Sequence, residues 1–471
     1  MCPTLNCRNQ AVNPFLPSWE YIPDGEPHVF DGRIYIYGSH DKFNGYVFCM
    51  GDYVCYSAPV DNLADWRYEG LIYEKTADPL NREGKMCLYA PDVTRGPDGR
   101  YYLYYALDKV SVISVAVCDS PAGKYEFHGH VSYSCGTRYG ERQGDQYVFD
   151  PAVITEGEKT YLYTGFCGEG QTSHKGAMAT VLAPDMLTVT EEPVCVAPGR
   201  YFAHGTSFAG HEFFEAPSVR KRGDTYYLIY SSIAANELCY ATSKNPLGDF
   251  VYRGVIISNC DMGISTYKPA EKPMHQGGNN HGSIIEINGQ WYIFYHRHTN
   301  NTWFCRQACA ERIEMQDDGT ILQVEMTSCG LNETPLIGQG EYPAYLACNL
   351  FSADDSNRPK LTQDGKDGDE EIGYVTDIKD ACGVGFKYFD FKGITKIKIK
   401  TRGYNNGVFE VKTSWNGIAL GCIPVKSTNL WEEFSADITI PDGIHALYFV
   451  YKGTGTATLG AFTLVSATPS P

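Results

Sequence analysis

Four acidic residues stand where a turn gives way to a strand with a proline close by: Asp24 and Glu26 in PDGEP, Asp150 in FDP, and Glu215 in FFEAP. Two carboxyl groups brought together from distant parts of a chain can divide the work of cleaving a glycosidic bond. One, protonated, gives its proton to the leaving oxygen, and the other, ionised, activates a water. Apolar neighbours such as Phe213 and Phe214 beside Glu215 desolvate a carboxyl and favour its protonated form. A single acid before a strand often does no more than cap a turn. Three sites in matching register point beyond capping.

An internal repeat can bring these acids together. Five segments share a small-residue or proline start, two apolar positions, a Gly or Asp turn and an aromatic strand. They are EPHVFDGRIYIYGSHD, APDVTRGPDGRYYLYYALD, DPAVITEGEKTYLYTGF, APSVRKRGDTYYLIYSS and HGSIIEINGQWYIFYHRH, starting at residues 26, 90, 150, 216 and 281. Each reads as a β-hairpin, and the near-even spacing predicts a five-bladed β-propeller over residues 1–335. In such a ring the first strand of each blade lines the central channel, so the hairpin starts converge on one mouth. The stretch RQACAERIEMQDDGTILQVEMT reads as strand, Asp-Gly turn and strand, and is expected to complete the fifth blade. After an acidic stretch, short strands such as ITKIKIKTR and ALYFVYKG predict a β-sandwich over 345–471, making the chain all-β.

The bulk composition narrows the partners. A formal net charge of −17 repels phosphates, which argues against nucleic acid and anionic membranes and leaves a neutral oligosaccharide or polysaccharide compatible. The first residues, MCPTLNCRNQ, have no basic stretch followed by an apolar one, and seventeen cysteines is an odd number scattered singly through apolar strands. Free thiols in a reducing cytoplasm are therefore expected. No CxxC pair or H-E-x-x-H motif is present, so no zinc site is expected.

These motifs resemble glycoside hydrolase family 43, whose members carry two D-P motifs and an E-[AG]-P; the likeness spans roughly residues 13–330. By that resemblance Glu215 is the general acid, Asp150 tunes and orients it, a first-blade acid is the general base, and the anomeric configuration inverts. In blade one the D-P motif has become Asp24-Gly25-Glu26-Pro27. Repeat register favours Glu26 as the counterpart of Asp150, whereas residue type and the preceding Pro23 favour Asp24, so both stand as site residues. The resemblance also puts His281 at the channel axis, often near a bound calcium or water, and Arg297 in contact with sugar and acids. No cofactor is expected to be required, with a structural calcium as an option. Trp19, Tyr21, Phe149 and Trp303 are aromatics suited to stacking on a sugar.

The tail is similar to family 6 carbohydrate-binding modules, with Tyr404 and Trp415 available for sugar, and a purely structural sandwich that stabilises the propeller is the alternative. The expected activity is that of an inverting exo-glycosidase removing terminal pentoses, as an α-L-arabinofuranosidase or β-D-xylosidase. A β-D-galactofuranosidase, an endo-acting arabinanase or xylanase, and a non-catalytic sugar-binding propeller are the alternatives.

Overall fold

The structure is a computed structural model and describes residues 10–353, 356–365 and 372–467. Five sheets follow one another along the first part of the chain. Blade one comprises Glu26–Phe30, Arg33–Tyr37, Tyr53–Pro59 and Arg67–Tyr73, paired antiparallel in that order, and blades two and four repeat the scheme from Leu88–Arg95 and Phe213–Arg222. Blade three adds two short outer strands, and blade five has three strands: Ile284–Ile287, Gln290–His298 and Arg306–Ile313. The second strand of blade two, Tyr101–Leu107, is buried at every position, and those of the other blades are mostly buried. A blade packed between two others has no solvent face, which explains apolar runs without polar alternation. Asp31-Gly32 and Asn288-Gly289 turn the first and fifth hairpins with positive φ at both residues, the twist that matches paired strands. Among the described residues no helix is long and apolar enough to cross a membrane.

Blade five departs from expectation. Beyond Arg306–Ile313 the segment forms only isolated bridges, Met315 to Ile321 and, parallel, Val324 to Ile257 of blade four. The free edge of Arg306–Ile313 is covered from the opposite end of the chain. Asn13 donates through Nδ2 to the Ala310 carbonyl at 2.8 Å and accepts the Ala310 N–H at 2.9 Å, so one side-chain amide replaces a strand partner.

The second module begins earlier than its change in composition suggests, because Leu336–Ile337 and Gly340–Pro343 already pair with its strands. Its ten strands form one hydrogen-bonded order folded on itself. The strand Ile394–Lys412 pairs with Ala457–Ser466 through its first part and with Gly443–Gly455 through its last, carrying the chain from one layer to the other. Trp415 is not free for sugar. Its Nε1 donates to the Tyr267 carbonyl of the propeller at 3.1 Å and its ring meets Phe351 edge-on, which leaves it half-buried between the modules. Tyr404 is 79% exposed.

Candidate active site

Hairpin geometry decides which residues meet at the hub. Phe30, Glu156, Arg222 and Ile287 end the first strands of blades one, three, four and five, each followed by a two-residue turn. Stepping back from those ends by the same number of residues lands on Asp24, Asp150, Ala216 and His281. Asp24, Asp150 and Ala216 all adopt left-handed backbone, with φ of 58°, 46° and 64°. Asp24, not Glu26, is therefore the counterpart of Asp150. The repeat alignment of Glu26-Pro27 with Asp150-Pro151 fails because Gly25 occupies the place of Pro151, which shifts Pro27 along its strand.

At Glu215 the pairing with the second strand of blade four slips on both sides. Such irregularities re-aim a side chain. Here Glu215 joins Asp24, Asp150 and His281 around one cavity of about 310 Å³, with Phe48, Tyr89, Phe149, Phe166, Phe214, Trp303 and Arg306 in its walls. A larger cavity of about 510 Å³ lies off the hub, against Tyr227, Tyr240, Arg253 and Asp318, and contains none of these acids.

The three hub acids differ in charge. Burial opposes ionisation of Asp24, but the Arg306 guanidinium and the charged His281 outweigh it and hold the carboxyl below its usual range. Arg306 Nη1 donates to Asp24 Oδ1 at 2.9 Å, and its Nε donates to Asp41 at 2.9 Å. His296 Nδ1 accepts the Asp24 N–H at 3.3 Å while Nε2 faces the Asn279 carbonyl at 2.7 Å, which fixes a neutral ring. Burial, reinforced by Arg306, accordingly lowers the His296 pKa to about 3. Glu215 lies at the other extreme. Burial first, then the Asp150 and Asp24 carboxylates, push it up to about 8. Asp150 is pushed up to about 7 by burial and by Asp24, against the pull of His281, and it accepts the N–H of Ala216, the residue after Glu215. One ionised and one protonated carboxyl thus face the same cavity, the division that acid–base cleavage requires.

The family model for glycosyl hydrolases family 43 matches residues 16–321. The chain belongs to glycosyl hydrolase family 43. A xylosidase/arabinosidase of Thermoclostridium stercorarium is 68% identical over 469 residues, covering 97% of this chain and 99% of that protein. The crystal structure of a family 43 arabinoxylan arabinofuranohydrolase from Bacillus subtilis, in complex with cellotetraose, shares the fold over 98% of this chain and 99% of its own, with a TM-score of 0.53 and 22% identity. A family 43 β-xylosidase/α-arabinofuranosidase from a compost microbial metagenome, solved with xylotriose in a calcium-free form, is 28% identical with a TM-score of 0.50, covering 65% of this chain and 95% of its own.

This family 43 glycoside hydrolase brings six of the ten residues expected at the site to the cavity: Asp24, Asp150, Glu215, His281, Phe149 and Trp303. Glu26 lies outside it. Its Oε2 accepts from Arg220 at 2.6 Å and from Ser218 at 3.0 Å. Burial opposes its charge, but Arg220 first and then His281 outweigh it and lower its pKa to about 2. Arg297 is also elsewhere. Side chains alternate along a strand, so His296 and His298 face the hub and Arg297 faces away, donating to the Ala347 carbonyl at 2.8 Å and the Tyr345 carbonyl at 2.6 Å. The guanidinium at the acids is that of Arg306, paired opposite His298 on the next strand. Trp19 and Tyr21 do not line the cavity either.

His281 lies between two acids, its Nε2 3.8 Å from Glu26 Oε1 and its Nδ1 4.0 Å from Asp150 Oδ2. Burial opposes its charge, but Glu26, Asp150 and Asp24 raise it to about 9. Glu26 Oε1 and His281 Nε2 are buried without hydrogen-bond partners. They do not make a calcium cage. Calcium takes six to eight oxygens, whereas here one carboxylate oxygen is unclaimed, Arg220 already neutralises that carboxylate, and both oxygens of nearby Asp92 are taken by His28 and by the N–H groups of Val93 and Val153.

Proposed function

We propose that the protein is an inverting, exo-acting glycosidase that removes terminal xylose or arabinose from hemicellulose-derived oligosaccharides. Asp24 acts as general base, Glu215 as general acid, and Asp150 as the residue that raises and orients Glu215. The observation that carries this reading is the opposite protonation state of two acids on one cavity, Asp24 held ionised by Arg306 and Glu215 held protonated by burial and its neighbours. A cavity of about 310 Å³ suits one sugar ring and the bond beyond it. The pentose preference follows the 68%-identical xylosidase/arabinosidase. Substrate binding puts the glycosidic oxygen at Glu215, which donates its proton as the bond to the leaving sugar breaks. Asp24 takes a proton from a water that attacks the anomeric carbon from the opposite face. This chemistry needs no cofactor; a calcium ion at the hub would be held mainly by water. Nine of the fifteen described cysteines are buried, and thiols such as Cys49, Cys55, Cys239 and Cys309 are free, which supports a reducing, cytoplasmic location.

Aryl β-D-xyloside, α-L-arabinofuranoside and β-D-galactofuranoside, assayed with proton NMR of the first-formed anomer, test the reading. Cleavage of one or both pentosides with inversion is expected. Glu215→Gln should lose about 10³-fold on oligosaccharides and far less on aryl glycosides with acidic leaving groups. Azide should restore turnover to Asp24→Asn. Activity on the galactofuranoside alone, or retention of configuration, would sink the proposal.

A further inference from the structure

The wall that carries the general acid continues past the cavity. Phe214, beside Glu215, meets Phe166 with ring centroids 5.5 Å apart, and Phe166 meets Phe149 at 5.9 Å and Tyr147 at 6.3 Å. Tyr147 lies parallel to the His174 imidazole, 5.9 Å away and within 6°. Phe149, Phe166 and Phe214 line the cavity, whereas Tyr147 and His174 lie beyond it, half-buried, with Gly144, Thr172 and Ser173 exposed next to them. The opposite wall, on the side of Asp24, is formed by Phe48, Trp303 and Arg306.

The outer rings are held in place. His174 Nδ1 lies 2.6 Å from the Phe166 carbonyl, the Cys167 N–H donates to the Phe214 carbonyl at 2.7 Å, and the Lys175 N–H donates to Gln146 Oε1 at 2.7 Å. The Tyr147 hydroxyl makes no hydrogen bond to a described residue, and the ring is close enough to the hub to feel the Asp150 charge. An immobilised aromatic with an unused hydroxyl is the type of group that holds a sugar, covering its apolar face and leaving a polar handle for its hydroxyls.

The general acid protonates the leaving oxygen, so the departing chain lies on the Glu215 side. We propose that Tyr147 and His174 form a binding site for the leaving chain, taking the second sugar beyond the cleaved bond of a linear pyranose oligosaccharide. The site rests on the assignment of Glu215 as general acid and makes the enzyme selective for substrates of three or more sugars. Phe214 and Phe166 span the first leaving sugar, and the Tyr147–His174 pair begins where they end.

The experiment measures kcat/KM for the aryl pentoside and for the dimer, trimer and tetramer of xylo-oligosaccharides and of their arabinose-substituted forms. The series judged is the one bearing the sugar that the aryl assay identifies. For the wild type, kcat/KM should rise between dimer and trimer and then level off. Tyr147→Ala should lower the trimer-to-aryl ratio about tenfold, mostly through KM. His174→Ala should lower it less, and Tyr147→Phe should restore most of the Ala loss. No rise from dimer to trimer in the wild type, or equal losses on aryl glycoside and trimer in Tyr147→Ala, would overturn the site. Wild-type inactivity on both aryl pentosides would instead count against the proposed function.

Discussion

At the scale of single residues, the hub works because three carboxyl groups in one cavity cannot all ionise. Arg306 spends its charge on Asp24 and Asp41, which leaves Asp150 and Glu215 to share their protons in an apolar surround. The catalytic form needs Asp24 ionised and Glu215 protonated. The Asp24 pKa is depressed, so the acid limb of a pH–rate profile should fall below the ordinary carboxylate range near 4. Glu215 is raised to about 8, so activity should persist into mildly basic solution and fall as it deprotonates. Both limbs belong to the coupled hub more than to either residue. Asp150→Asn removes a negative charge from beside Glu215 while keeping an oxygen for the Ala216 N–H. The basic limb should then move down by about one pH unit and kcat should fall at least about tenfold. An unmoved basic limb would show that burial and Asp24 set the acid without Asp150. These acids were legible in the sequence because each is announced locally, by a proline and by aromatic neighbours. Arg306 was not, because its role depends on which residue of the next strand lies opposite His298.

At the scale of the strand, hairpin register decides what the sequence left open. Aligning the repeats on Glu26-Pro27 and Asp150-Pro151 favours Glu26, residue type and Pro23 favour Asp24, and counting back from the hairpin turns agrees with Asp24, since pairing counts residues from the turn and ignores where proline falls. Arg297 illustrates the alternation. Its neighbours on either side face the hub, and a guanidinium one position along a strand must point the other way. It is buried, and it satisfies two carbonyls of the second module together with Gln307. Arg297→Met should therefore behave as a stability variant. Losing these charge-assisted bonds, with the carbonyls left buried, should cost about 2–4 kcal/mol, read by urea unfolding. KM for an aryl pentoside should change less than about twofold. A large rise in KM without loss of stability would return Arg297 to the substrate. The missing fourth strand of blade five belongs to the same scale. The Asp-Gly turn was visible, but the N-terminal Asn13 had already taken the edge on which that strand would pair.

At the scale of the whole molecule, the second module helps to build the rim of the cavity. The Asn300 N–H, in the loop that carries Trp303, donates to the Leu361 carbonyl at 2.7 Å, and Asn300 Nδ2 reaches Asn44 in the loop that carries Phe48 at 3.1 Å. Deeper in the interface, Lys387 of the second module is fully buried, with Nζ 3.1 Å from Asp261 and 3.0 Å from Glu325 of the propeller and over the Tyr267 ring. Tyr388 adds a hydrogen bond to Glu325 at 2.6 Å. Burial opposes the charge on Lys387, but Asp261, Tyr267, Cys348 and Glu325 outweigh it and raise its pKa, so its contribution is present across the neutral range and is lost only in strong base. Burial would raise Glu325, yet Lys387 and three hydrogen bonds lower it. Its share of stability is therefore present above the usual glutamate range and disappears on acidification through its depressed folded value. Lys387→Met leaves two carboxylates facing an apolar stem and should cost about 3–5 kcal/mol. If the modules fold as one unit through this contact, near-UV circular dichroism and loss of activity should shift together to lower urea, by the same amount. Two separated transitions, with the propeller and its activity melting where the wild type melts, would show that the second module is an appendage and that the rim holds without it.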